Sequence, residues 1–231
     1  RLSTLDYYPE TQKFWTVSGG PWHGIGFFYD YRYYEKQFGD HWIAPYTTAG
    51  WYFREEKNIR PGAYLGQLKL LLGLGSVMFH QEFFSLYAPF PNSRNWNWQM
   101  ASASYAQGLL SHVEDFIYNS TTLDGDKILN GHPAMNFNTN DSSKHVVVRK
   151  HNTQNKYMIA DTIQPIDNSA GTTVDSTATI TLDGQSITFP IRKQGSVYIY
   201  DKTNASAPLF YQLDGWHEST HPAYWSRDFK L

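Results

Sequence analysis

Glu82 is the first residue with a claim to chemistry. It follows Ser76-Val77-Met78-Phe79-His80, an apolar run of strand character, and Gln81 stands immediately before it. A carboxyl group at the exit of a strand can serve as acid, base or nucleophile when a second carboxylate faces it across a substrate. Cleavage of a glycosidic bond needs two such groups, roughly 5 Å apart for retention and about 6.5–9.5 Å apart for inversion. The commoner uses of such a glutamate stand beside that one: an ion pair with Arg54 or Arg60, or a hydrogen bond to a sugar hydroxyl without proton transfer. His80 and His23 divide in the same way, because a histidine near a strand end is more often a hydrogen-bonding or core residue than a proton carrier.

A second signal is aromatic. Trp22, Phe27, Phe28, Tyr29, Tyr31, Tyr33, Tyr34, Trp42, Tyr46, Trp51 and Tyr52 fall within 31 positions. Pyranose rings present apolar C–H faces, and flat side chains with a polar edge match them. Trp22, His23, Tyr29, Trp51 and Gln81 are therefore expected to contact sugar. Against this, a long loop must bury something to stay ordered, and most of these rings are expected in a core.

Other templates fail. His217-Glu218-Ser219-Thr220-His221 has the bare spacing of a zinc protease motif. That chemistry needs both imidazoles on one helix face, whereas Gly215 precedes this stretch and Pro222 follows it. No metal site is expected. Gly24-Ile25-Gly26 lacks the third glycine of a dinucleotide loop, and there is no Walker-type Gly-Lys-Ser/Thr and no Gly-x-Ser-x-Gly elbow. No cofactor is expected. With no cysteine in the chain, disulfides, thiolate metal sites and a catalytic thiol are excluded.

The elements that must position these residues fall into two parts. In the first, Lys13–Ser18 is a strand stopped by Gly19-Gly20-Pro21, and a long aromatic loop runs from Trp22 to about Asn58. Pro61 opens a helix that ends at Gly73, with Leu65, Leu68, Leu71 and Leu72 on one face. Ser76–His80 resumes as a strand. Asn97–Tyr118 is a second helix with Met100, Ala103, Ala106, Leu110, Val113 and Ile117 as its buried stripe. This makes two consecutive β-α units, the repeat of parallel barrels and doubly wound sheets, whose active face lies at the carboxyl ends of the strands.

A linker or ordered loop over residues 122–144, with a short strand near Lys127–Leu129, separates this part (1–121) from the second (145–231). There His145–Arg149, Lys156–Ala160, Ala178–Leu182 and Ser196–Tyr200 are short β-branched or aromatic strands bounded by turn residues. Asp183-Gly184 before Ser186–Phe189 is the strongest hairpin signal. Regular strands of this kind predict an antiparallel sandwich.

Composition narrows the classes. Nineteen basic and 21 acidic residues give a net charge of −2, which argues against nucleic acid as a partner. No run approaches the ~18 apolar residues of a membrane span. With 17% charged and 17% aromatic residues, disorder is not expected. A chain opening on Arg1 reads as a processed or excised piece of something longer.

Three stretches carry a family resemblance: Phe14-Trp15-Thr16-Val17-Ser18-Gly19-Gly20; Arg60-Pro61-Gly62-Ala63-Tyr64 leading into the Leu-rich helix; and Gly73-Leu74-Gly75-Ser76-Val77-Met78-Phe79. In this order they resemble the last part of a (β/α)8-barrel glycoside hydrolase with an appended β-sandwich, of the agarase and porphyranase kind. The resemblance implies an α/β plus all-β fold: late barrel strands and helices, then an antiparallel β-sandwich. It also implies a polysaccharide or oligosaccharide substrate, with Glu82 and His80 in the catalytic cleft and Trp22, His23 and Trp51 in sugar subsites. The protein would be bacterial and secreted or held at the cell surface.

Two departures follow. A barrel needs eight units and this chain supplies about two, so the remainder would come from a longer chain or another subunit, and these 231 residues alone are expected to be inactive. The family's catalytic glutamates close the fourth and seventh strands, yet the strand in the seventh place ends in Ser18-Gly19-Gly20. Either the catalytic pair lies in missing sequence, or the strand numbering shifts by one and Glu82 belongs to it. A non-catalytic carbohydrate-binding or adhesion module is the alternative, and a structural subunit with an aromatic protein-binding surface is a third reading.

Overall fold

The computed structural model describes residues 2–4, 42–44, 46–47, 61–75, 80–81, 94–123, 125, 128–129, 132–133, 144–163, 176–192 and 195–214. Over these residues the fold is β-rich and mostly antiparallel, with two helices. Four short strands, β1 (Leu2–Thr4), β2 (Trp42–Ala44), β3 (Tyr46–Thr47) and β4 (His80–Gln81), pair in parallel as β1 with β2 and β3 with β4. The stretch expected as one long loop thus contains β2 and β3. Trp, Ile, Tyr and Thr are strand formers, and the surrounding aromatic residues hid a short strand signal.

Helix α1 (Pro61–Gly73) runs between the expected proline and glycine, and α2 spans Arg94–Asn119, starting earlier than expected. Strand β5 (Ser120–Thr122) follows α2 without a break, and β6 (Ile128–Leu129) pairs with β7 (His132–Pro133), close to the expected Lys127–Leu129 strand. The remaining strands are β8 (Lys144–His151), β9 (Lys156–Ile163), β10 (Ser176–Leu182), β11 (Gln185–Ile191), β12 (Ser196–Asp201) and β13 (Leu209–Gln212). All four expected C-terminal strands are present. β5 and β13 were missed: one is too short to alternate, and the other leaves Leu209 and Tyr211 exposed.

A five-stranded antiparallel sheet in the order β13-β12-β9-β8-β5 is the centre of the fold. β10 and β11 form the hairpin foreseen at Asp183-Gly184, both residues with positive φ, 49° and 76°. Such a tight turn matches the twist of its strands, and glycine takes the left-handed conformation without a Cβ penalty. The hairpin lies on one face of the sheet. Ala178, Ile180, Leu182, Phe189 and Ile191 pack there against Val146, Val148, Tyr157, Ile159, Tyr198 and Tyr200.

The other face carries the helices. Leu72 of α1 and Leu109, Val113, Phe116 and Ile117 of α2 meet Met158, Val197 and Ile199. Alternation along each strand sends neighbouring side chains to opposite faces, so Tyr157 and Ile159 serve the hairpin side and Met158 the helix side. The buried stripe of α2 differs from the expected one: Leu109 and Phe116 are buried, whereas Leu110 is half-buried. α1 departs further, because Leu65, Leu68, Leu70, Leu71 and Leu72 are all fully buried. A helix covered on all sides is a core element rather than an amphipathic surface one.

Candidate functional site

Among the residues expected to do chemistry, His80 and Gln81 form β4, in register with Tyr46 and Thr47 of β3. Glu82, Trp22, His23, Tyr29 and Trp51 lie outside the described residues, as do the expected strand Lys13–Ser18 and the His217–His221 stretch. Among the described residues no cluster of three or more His, Asp and Glu could hold a metal ion.

What the structure does assemble is a charged cluster inside the core. Lys69 projects from the middle of α1 and is fully buried. Its Nζ lies 2.5 Å from Oδ2 of Asp214, which is also fully buried, and donates to the Gly195 carbonyl at 2.9 Å. The ammonium also sits 5.6 Å from the centroid of the Tyr105 ring. Asp214 is fixed from its other side: Oδ1 accepts the backbone N–H of Val197 at 2.8 Å and, more weakly, Nε2 of Gln212 at 3.4 Å. Oδ2 has no aligned hydrogen-bond donor among the described residues, so the contact with Nζ is a close charge pair.

Backbone proximity makes this arrangement possible. Gly195 has φ +70°, and a Cβ there would stand 2.6 Å from the Asp161 carbonyl oxygen and 2.9 Å from Gly66 Cα. Only glycine lets α1 and the start of β12 come this close. Lys69 therefore reaches a backbone carbonyl 126 positions away in sequence.

Asp161 on β9 is the second fully buried carboxylate. Its Oδ1 accepts the Arg192 backbone N–H at 3.4 Å, while Oδ2 has no aligned hydrogen-bond partner among the described residues. Burial pushes its carboxyl well above the usual range, against the partial relief of that N–H and of the Lys69 charge. Burial also lowers the Lys69 ammonium, with Asp214 opposing it. Nearby, burial pushes the Tyr198 hydroxyl up to about 12, with the Asp161 charge adding to the effect.

The raised Asp161 has a definite sign in the pH dependence of stability. The folded chain keeps a proton that the unfolded chain releases near pH ~4. Its favourable contribution is complete below that pH and is lost as pH rises through the folded value. Asp115, Asp183 and Asp201 act oppositely. Hydrogen bonds from Asn119, Tyr157 and Thr203 respectively hold them below the carboxylate range, so their contributions are lost as pH falls. Asp161→Asn isolates the first effect: urea unfolding at a series of pH values should show a smaller loss of stability above pH ~4 than in the unsubstituted chain. Parallel curves would contradict a protonated Asp161.

Chemically, the cluster brings an amine and a carboxyl group together where neither side chain is exposed to solvent. Sequence reasoning missed it. Lys69 interrupts a leucine run, which reads as the polar side of a helix, and nothing local ties it to Asp214. Comparisons with protein-family models, with curated proteins and with solved structures find no match to this chain.

Proposed function

We propose that the chain is part of a carbohydrate-active glycoside hydrolase that cleaves a polysaccharide by paired carboxylates, and is secreted or held at the cell surface. In this reading residues 1–121 are late β-α units of a barrel and residues 145–231 a β-sandwich. The observation that carries it is the parallel register of β3 with β4, Tyr46 opposite His80 and Thr47 opposite Gln81. Parallel strands end on the same side, and loops leaving carboxyl ends of parallel strands are where such folds place their chemistry. Glu82 is the next residue after Gln81, and Trp51 follows Thr47 by four positions. A carboxylate and an indole so near the ends of two parallel strands in sequence are the residue types that binding and cleaving a sugar would use.

The antiparallel, β-rich architecture favours a second reading, a non-catalytic carbohydrate-binding or adhesion module, with Tyr118, Leu209 and Tyr211 as exposed apolar side chains. Glu82→Gln in the full-length protein separates the two. Under the first reading it lowers reducing-end release from the polysaccharide by about 10²-fold or more, while retardation in a polysaccharide-containing gel is unchanged. Binding without hydrolysis in the unsubstituted protein supports the second reading. Absence of both overturns the two together.

A further inference from the structure

We propose that Lys69 and Asp214 become joined by an intramolecular isopeptide bond, making the buried pair a covalent strap between α1 and the segment that follows β13. The geometry has the parts that amide formation needs. Nucleophile and carboxyl group are both fully buried and lie 2.5 Å apart at Nζ and Oδ2. The contact of Nζ with Oδ2 is a close charge pair without an aligned hydrogen bond. The other oxygen, Oδ1, accepts N–H bonds from Val197 and Gln212. Such donors stabilise the negative charge that grows on a carboxyl oxygen when its carbon is attacked.

Confinement supplies the rest. The Gly195 carbonyl orients Nζ, and α1, β12 and Tyr105 enclose it. Two reactants held in one buried place no longer meet by diffusion, which is worth a large factor in rate. Burial favours the neutral amine, the nucleophilic form, and Lys69 is lowered for that reason. Asp161 lies within electrostatic reach of both partners; its negative charge would favour the ammonium of Lys69, and the burial that raises its own carboxyl reduces that opposition.

The step balances without a co-reactant. One ammonium proton of Lys69 passes to Oδ2 of Asp214, and the neutral Nζ attacks Cγ. The Nζ–Cγ bond forms, a second nitrogen proton moves to Oδ2, the Cγ–Oδ2 bond breaks, and one water leaves. Nothing is oxidised or reduced.

Intact-mass spectrometry of the purified full-length protein tests this directly. The expected mass is lower than the sequence mass by one water, and protease digestion yields a branched peptide joining the Lys69 and Asp214 segments. Asp214-Gly215 offers a competing loss of water through a succinimide. That product leaves a linear peptide and is cleaved by hydroxylamine, whereas the isopeptide is not. Lys69→Arg keeps the positive charge but removes the nucleophile, so the folded variant should run at its full sequence mass. An unsubstituted protein at its full sequence mass, or one whose lost water maps to a linear succinimide peptide, overturns the proposal.

Discussion

Lys69→Met is expected to lower the free energy of unfolding by about 3–5 kcal/mol at neutral pH, the usual result of deleting one partner of a buried charge pair. The loss does not measure the worth of the attraction. It measures a carboxylate left buried without its cation: Asp214 is fully buried, and it retains Val197 N–H and Gln212 but loses the ammonium of Lys69. Adding Asp214→Asn to Lys69→Met should therefore recover more than half of the loss. The charge disappears, while an amide oxygen can still accept from Val197. If the pair is already an amide in the unsubstituted protein, the double variant should stay below it by the contribution of the tether, because a cross-link closing a long loop restricts the unfolded chain. Urea unfolding of the three proteins supplies the comparison. A single variant within about 1 kcal/mol of the parent would mean that water reaches Asp214.

How far the sequence foretold this arrangement depended on the distance over which each signal acts. Asp183-Gly184 was readable because a two-residue turn with positive φ constrains residue type at the turn itself. The strands of residues 144–201 were readable from local β-branched character. α1 was readable as a helix from Pro61 and Gly73, but the chain pattern does not say what surrounds it, so one leucine face was expected where all sides are covered. The packing of α1 and α2 on β9 and β12 joins residues on both sides of the expected linker at 122–144, and local sequence patterns are blind to such contacts. The Lys69–Asp214 pair is the extreme case. Each residue taken alone is an ordinary surface type, and only the close approach of α1 to Gly195 puts them together.

Arg149→Met is expected to cost about 3 kcal/mol, because it removes several hydrogen bonds from one charged donor and leaves their acceptors buried. Arg149 stands on β8 opposite Thr122 of β5, and its side chain turns toward the end of α2. The last carbonyls of a helix have no partner within it. Here Nε donates to the Phe116 carbonyl at 3.3 Å and to Ser120 Oγ at 2.8 Å. Nη2 donates to the carbonyls of Ile117 at 3.4 Å and Ser120 at 2.9 Å, and Nη1 to Thr122 Oγ1 at 2.7 Å. Asn152 closes the series by donating its backbone N–H to the Asn119 carbonyl at 2.8 Å. A positive group at this end also opposes the negative pole of the helix. Arg149→Lys keeps that charge but offers a single ammonium where a planar fork reaches acceptors from Phe116 to Thr122, so it should restore less than half of the stability lost in Arg149→Met. The location of the damage distinguishes this account from a general loss of packing. In amide hydrogen exchange of Arg149→Lys, protection should fall most over Val113–Thr122 and least in the β10–β11 hairpin, on the opposite face of the sheet. A uniform fall would assign Arg149 to the core as a whole rather than to the junction of α2 with β5.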